Sequence, residues 1–243
     1  EGADQPHPLE RAEPEEEYGF VAVAAGEGLQ ALFNDLGCSQ VVSGGQTMNP
    51  SIETIGHAIK KANARNVFVL PNNSNIILAA QQAAELSERN VVVLPTKNVA
   101  MGIGAVIAYR ASISGAAGGC QYEIGTASAM AAAALCYLGG GDAQAVCHAA
   151  AIAIKAMLGL VCDPIAGLVE VPCVKRNAAG AVIAMSSADM ALAGIRSAVP
   201  PDEVILAMRE VGDKMDVSLK ETGVGGVAGT PFGQKIAEKM GMA

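Results

Sequence analysis

Three cysteines stand in turn-like settings: Cys120 in Gly-Gly-Cys-Gln, Cys162 in Val-Cys-Asp-Pro and Cys173 in Val-Pro-Cys-Val. They are 42 and 11 positions apart, so they act together only if the fold makes them converge. Thiolates are the usual ligands of iron-sulfur clusters, and three of them would leave one iron of a four-iron cluster free for chemistry. The loop between Cys162 and Cys173 contains Pro164, Gly167 and Pro172, which suits a fixed excursion that returns one thiol to the other. This is not the CxxC knuckle common in zinc sites, so zinc is the weaker reading, though it stays open. The competing reading is that a free cysteine is simply a small buried hydrophobe. That reading is assigned to Cys38, Cys136 and Cys147, the last two lying inside alanine-rich runs.

The elements that must position these thiols divide into two patterns. Residues 1–17 hold Pro6, Pro8 and Pro14 and end in the acidic run Glu15, Glu16 and Glu17, a linker composition. From Tyr18, apolar runs Phe20 to Ala25, Val41 to Val42, Val67 to Leu70 and Val91 to Leu94 alternate with amphipathic stretches. Helices are expected over Gly28 to Leu36, Ser51 to Ala64, Asn75 to Ser87 and Asn98 to Tyr109. Such alternation predicts a parallel sheet covered on both faces. After Ala111 the strand signal gives way to alanine-rich runs at Thr126 to Leu138 and Ala143 to Leu160, with a further helix from Asn177 to Ile195 and another starting at Pro200, Pro201 and Asp202. The expected architecture is an α/β parallel-sheet unit over residues 18–110 followed by an all-α helical domain over residues 111–243.

Hydrophobic residues make up 51% of the 243 positions, ample for a buried core. A net charge of −8 and the lack of a basic stripe exclude a nucleic-acid binder, which must neutralise phosphates. The longest apolar stretch, Ala143 to Val161, carries His148 and Lys155 and reads as a buried helix, with no membrane span expected. The polar, acidic start carries no leader pattern, and the missing initiator Met points to a piece of a longer chain. A cytoplasmic protein is expected, where clustered cysteines more often mean metal or catalysis than disulfides.

In the front half, Gly26, Gly28 and Ala31 fit G-x-G-x-x-A, but ordinary βα-turn glycines are the stronger reading, because no acidic residue ends the second strand. More unusual are the polar strand ends Gly44 to Pro50, Pro71 to Asn75 and Pro95 to Lys97. Carboxyl ends of parallel strands are where open α/β sheets bind ligands, while Ser51 and Asn75 would equally serve as helix caps. The stretches FVAVAAGEGL, GGQTMNPS and VFVLPNNSNIILAAQQAAELS resemble the C-terminal region of the fatty acid kinase, or dihydroxyacetone-kinase-like, catalytic chain over residues 18–109. In that family this region engages a fatty-acid-binding carrier protein, so the resemblance implies such a partner. The family's ATP-binding domain has no counterpart here, and kinase activity does not follow.

In the back half, ASISG, GGCQYEIGTASAMAAAAL, LGLVCDPIAGLVEVPCVKRNAAGAV and ADMALAGI are similar to the iron-sulfur-dependent L-serine dehydratase (L-serine ammonia-lyase) α chain, over residues 111–243. The resemblance implies that Cys120, Cys162 and Cys173 hold a [4Fe-4S] cluster whose fourth iron binds L-serine. It further implies β-elimination to pyruvate and ammonia, with the open iron as Lewis acid on the hydroxyl and a base, unassigned, on the α-proton. Lys175, Arg176 and Asn177 can bind the substrate carboxylate, though a basic helix start is also an ordinary solvated face or cap. Glu123 and Asp163 are expected to support the ligands, and His148 to be a packing residue. The family works with a β chain or domain and has its own N-terminal portion, replaced here by the kinase-like unit. Activity is therefore expected to be incomplete in this chain alone. The alternative is a non-catalytic or fusion protein whose α/β unit binds the carrier. The join near Arg110 reads either as a natural fusion or as an error of gene assembly.

Overall fold

The structure, a computed structural model, describes residues 14–45, 49–169 and 171–242. Most of the expected linker, Gln46 to Met48 of one polar strand end, and Glu170 lie outside the described residues.

Four strands, β1 (Glu16–Ala24), β2 (Gln40–Ser43), β3 (Ala64–Leu70) and β4 (Asn90–Val93), form a parallel sheet in the order β2-β1-β3-β4. Val21 pairs with Gln40 on one side and with Val69 on the other, and Val67 pairs with Val91. The connecting helices are α1 (Gly26–Asp35), α2 (Ile52–Lys61), α3 (Ile77–Glu85) and α4 (Val99–Arg110). Period-2 alternation in β1 sends its residues to opposite faces. Val21 and Val23 pack with Ile55, Ile59, Ile76 and Ala80 of the α2 and α3 region, whereas Phe20, Ala22 and Ala24 pack with Leu32, Phe33, Ile103 and Ile107 of α1 and α4. Both faces are covered, as the continuous apolar runs of β1 and β3 require.

The linker boundary is corrected by two residues, because Glu16 and Glu17 extend β1 and Glu16 pairs with Ala64 of β3. Ala64, expected to end a helix, begins β3 instead; Asn63 in between has a positive φ of 50°, which breaks the helix. Ser51 does cap α2, accepting from the Thr54 N–H at 3.1 Å. Asn75 does not cap α3: Ile76 holds that position, and the Asn75 N–H instead donates to Asn73 Oδ1 at 2.9 Å.

The remainder is helical: α5 (Gly115–Gly118), α6 (Cys120–Leu138), α7 (Ala143–Met157), α8 (Cys173–Leu192), α9 (Pro201–Lys214) and α10 (Pro231–Lys239), with short 3-10 turns at Ile165–Gly167 and Val217–Leu219. Alanines Ala129, Ala132, Ala133, Ala149, Ala150, Ala153, Ala184 and Ala188 are buried and allow α6, α7 and α8 to approach closely. One hydrophobic cluster runs from the Phe20 face of the sheet through Phe33 and Ile107 to Ala133, Ile154 and Met208. The layer formed by α1 and α4 is thus shared: the sheet lies on one side of it and the helical part on the other. Gly104 lets α4 approach α6 closely: a Cβ there would lie 2.4 Å from Met130 Sδ.

Candidate metal centre

Two of the three cysteines begin long helices. Cys120 is the first residue of α6, six positions earlier than the expected start at Thr126, and Cys173 is the first residue of α8. Gly119, with φ 85°, makes the turn before Cys120; any Cβ there would meet the Leu160 carbonyl at 2.6 Å. Cys162 lies in the loop after α7, pinned by its own backbone: its N–H donates to Leu219 O at 2.8 Å, and its carbonyl accepts from the Glu221 N–H at 2.7 Å. The excursion from Cys162 to Cys173 closes on itself where the Ile165 N–H donates to Val171 O at 3.0 Å. As a result the three Sγ atoms lie within 4.8 Å of one another. Cys120 and Cys162 are buried and Cys173 is partly so.

Several groups anchor this arrangement. Gln121, fully buried, donates to Gly118 O and Met208 O and accepts from the Gly159 N–H, tying the start of α6 to α9 and to the loop that delivers Cys162. Asp163, 2% exposed, accepts from Arg176 Nη1 at 2.5 Å through Oδ1 and from the Val227 N–H at 2.7 Å through Oδ2. Arg176 also donates to Val161 O at 2.9 Å, and its charge acts on Cys120. Burial lowers the Arg176 pKa, but the bond and charge of Asp163 and the proximity of Cys120 outweigh it, so the net shift is upward. Lys175 is exposed, and Asn177, also exposed, turns back to donate to Cys173 O at 3.1 Å. Glu123 is exposed at the rim, where a Cβ on Gly115 would touch both its Oε2 at 3.0 Å and Cys162 Sγ at 3.2 Å.

The donor set has the chemistry of a soft-metal or iron-sulfur site. Sulfur is the only ligand type among the three convergent groups, which disfavours magnesium or calcium, and three donors leave a coordination position open. Two of the thiols stand at helix N-termini, whose partial positive charge favours thiolate. Against this, burial pushes the Cys120 and Cys162 pKa values up, with the neighbouring thiol adding to the rise at Cys162. Burial thus disfavours the Cys120 and Cys162 thiolates unless a cation lies beside them, and three sulfurs within 4.8 Å of one another fit a metal or a cluster.

The other cysteines behave as packing residues. Cys38, Cys136 and Cys147 are buried in the main cluster. Burial pushes Cys38 and Cys147 up to about 12 and raises Cys136. His148 is structural as well, accepting the Ser197 N–H at Nδ1 over 3.1 Å. At the polar strand ends, the Asn72 side chain donates to Val23 O and its backbone N–H donates to Thr96 Oγ1, so these groups brace the sheet. Sequence reasoning missed Gln121 and the glycine-rich segment around Val227. The first has no signal beyond its place next to Cys120, whereas the run Thr-Gly-Val-Gly-Gly-Val-Ala-Gly-Thr at 222–230 is a visible mark of close backbone approach. Among the described residues, no helix is long and apolar enough to cross a membrane.

A parallel α/β layer backed by an alanine-rich helical layer, with three thiols converging beside the starts of α6 and α8, defines a protein of mixed architecture whose three-cysteine group has the donors to hold a metal ion. Residues 74–228 match the family profile described as serine dehydratase alpha chain, and the chain belongs to that family. Residues 19–116 also match the profile of the C-terminal region of fatty-acid-kinase-like proteins, so the two matches overlap through α3, β4 and α4. The chain is 61% identical over 137 residues to a probable L-serine dehydratase alpha chain of Bacillus subtilis, covering 56% of this chain and 46% of that one. It is 59% identical over 136 residues to the L-serine dehydratase alpha chain of Peptoniphilus asaccharolyticus, covering 56% and 47%. The chain is also 54% identical over 92 residues to protein YloV of Bacillus subtilis, covering 38% of this chain and 17% of that one. The chain spans about half the length of the alpha chains it matches.

Proposed function

We propose that residues 111–243 form the cluster-bearing part of an L-serine ammonia-lyase and that residues 18–110 form a fatty-acid-kinase-like unit packed against it. The observation that carries this reading is the convergence of Cys120, Cys162 and Cys173 to within 4.8 Å in a member of the serine dehydratase alpha-chain family. These cysteines would hold a [4Fe-4S] cluster. When bound, such a cluster supplies a Lewis acid at the iron without a protein ligand, easing departure of the serine hydroxyl.

The chain's own contribution is placement and charge. The starts of α6 and α8 aim Cys120 and Cys173 at one point, and the backbone clamp on Cys162 fixes the third ligand. Lys175, Arg176 and Asn177, in the first turn of α8, are the groups proposed for the substrate carboxylate; Arg176 is the one whose charge acts on Cys120. Glu123 at the rim is a candidate to orient the substrate ammonium. Elimination removes the α-proton and the β-hydroxyl as water, and hydrolysis of the aminoacrylate then gives pyruvate and ammonia. Six unpaired thiols suit a reducing, cytoplasmic setting.

The relatives matched over residues of the back half are named as alpha chains, so a serine dehydratase β chain or domain is the proposed partner. The test is an anaerobic assay of the iron- and sulfide-loaded chain with L-serine, alone and with a serine dehydratase β chain. Pyruvate and ammonia in equal amounts, dependent on the β chain, are expected. No pyruvate in either mixture would overturn the catalytic reading.

A second reading rests on the front half, which is similar to a fatty acid kinase region. Here the α/β unit recruits a fatty-acid-binding carrier protein. An open apolar cavity of about 450 Å³ between β1, β3, the segment following β4 and α4, lined by Phe20, Phe68, Leu94, Met101 and Tyr109, supports an apolar contact on this side. Retention of such a carrier in a pull-down, without pyruvate formation, would favour this reading.

A further inference from the structure

Asp163 adjoins Cys162, is almost completely buried, and commits its two carboxylate oxygens to different parts of the chain. Oδ1 takes the Arg176 guanidinium of α8, and Oδ2 takes the backbone N–H of Val227 in the glycine-rich segment. The fit at Val227 depends on glycine: Gly226 has φ 59°, and a Cβ there would lie 2.1 Å from Asp163 Oδ2. The same segment is zipped to Cys162 itself by the Cys162 N–H to Leu219 O and Glu221 N–H to Cys162 O bonds. Farther along, α10 packs on the Ile165–Gly167 turn, and Gln234 of α10 donates back to Gly223 O and Ala228 O. The last quarter of the helical part is thus fastened onto the short stretch of chain that delivers one metal ligand.

We propose that Asp163 is a positioning residue that ties both the Arg176 charge and the 219–229 segment to the three-thiol site, so that filling the site and holding that segment closed are coupled. The inference rests on the proposed cluster site. Its physical basis is direct. An occupant of the site fixes Cys162, Cys162 fixes the backbone of 219–221, and Asp163 fixes Val227. Arg176, restrained by Asp163 and Val161 O, keeps a positive charge beside Cys120 where thiolates must gather. Loss of the carboxylate charge would free both partners, since hydrogen bonds to ionised groups are the stronger ones and a buried partner left unpaired is costly.

The test uses the full chain and its Asp163→Asn and Arg176→Gln variants, before and after anaerobic loading with iron and sulfide. Two quantities are read: amide exchange over 219–229, and the rate of iron release to a chelator. Loading is expected to slow exchange of the 219–229 amides in the wild type. Asp163→Asn is expected to speed that exchange in the unloaded protein at least about tenfold, about 1.4 kcal/mol, with α7 amides unchanged. Both variants are expected to release iron at least about tenfold faster. Arg176→Gln, which leaves the Val227 bond in place, guards against a misfolded Asp163 variant. Wild-type exchange over 219–229 in unloaded Asp163→Asn, or wild-type iron release in both variants, would overturn the inference. Failure of the wild type to take up iron and sulfide would instead count against the cluster reading, and the exchange of the unloaded protein would still decide the Asp163 tie.

Discussion

Ile107→Ala probes the shared α1–α4 layer from its middle. Ile107 is completely buried on α4 and belongs to the cluster that joins the Phe20 face of the sheet to α6 and α7. The substitution removes three carbons, about 2.4 kcal/mol at about 0.8 kcal/mol each. With no solvent path to refill the space, the cavity raises the cost to about 3–4 kcal/mol, inside the range for such deletions. For a protein of this size, a urea m-value of about 3 kcal/mol/M converts that loss into a midpoint about 1 M lower. A control at Ile113, which is 54% exposed, should change stability by less than about 0.5 kcal/mol. Amide exchange makes the prediction sharper. If the sheet and the helical part unfold as one unit, the slowest amides of β1 and of α7 should both exchange about two to three orders of magnitude faster in Ile107→Ala. Acceleration confined to β1 to α4, with α7 at its wild-type rate, would refute the continuous core and restore an independent boundary near Arg110.

Two further outcomes follow from buried titratable groups. Cys38 and Cys147, held near 12 by burial, are ionised to only about one part in ten thousand at pH 8. Peptide mapping after brief iodoacetamide treatment should find both almost unmodified in the native protein and fully modified in urea; rapid native labelling would contradict their packing role. Burial, and secondly the charge of Arg196, hold the His148 pKa below 6.5, so the unfolded chain takes up the proton first. The neutral ring therefore contributes its stability fully above pH 6.5, and that contribution is lost as pH falls below it. The urea midpoint of the wild type should fall more between pH 7.5 and 5.5 than that of His148→Asn, and equal falls would count against this account.

The parallel sheet was legible because β1 and β3 carry unbroken apolar runs whose two faces both find helices. The turns flanking the cysteine triad made it a candidate set, and the resemblance of those flanks to the serine dehydratase α chain singled it out. The start of α6 was not. Cys120, Gln121 and Tyr122 read as a polar turn, yet they are helical and buried because Gln121 and Tyr122 bond to Met208 O and Arg209 O, 87 positions away. The role of Asp163 was only half visible for the same reason. Its neighbour Cys162 marked it as a supporting group, but its partner Val227 lies 64 positions on, and no local pattern announces that pairing. Local propensity and periodicity show elements; they do not show which loop closes over which helix start.

Cys120, Cys162 and Cys173 are proposed to hold an iron-sulfur cluster together. Acid-labile sulfide after anaerobic loading with iron and sulfide tests it most directly, in the wild type and in the triple Cys120→Ser, Cys162→Ser, Cys173→Ser variant. About four sulfides per chain are expected in the wild type and none above background in the triple variant, with Cys38→Ser, Cys136→Ser and Cys147→Ser loading normally. No sulfide in the wild type, or undiminished sulfide in the triple variant, would contradict the claim.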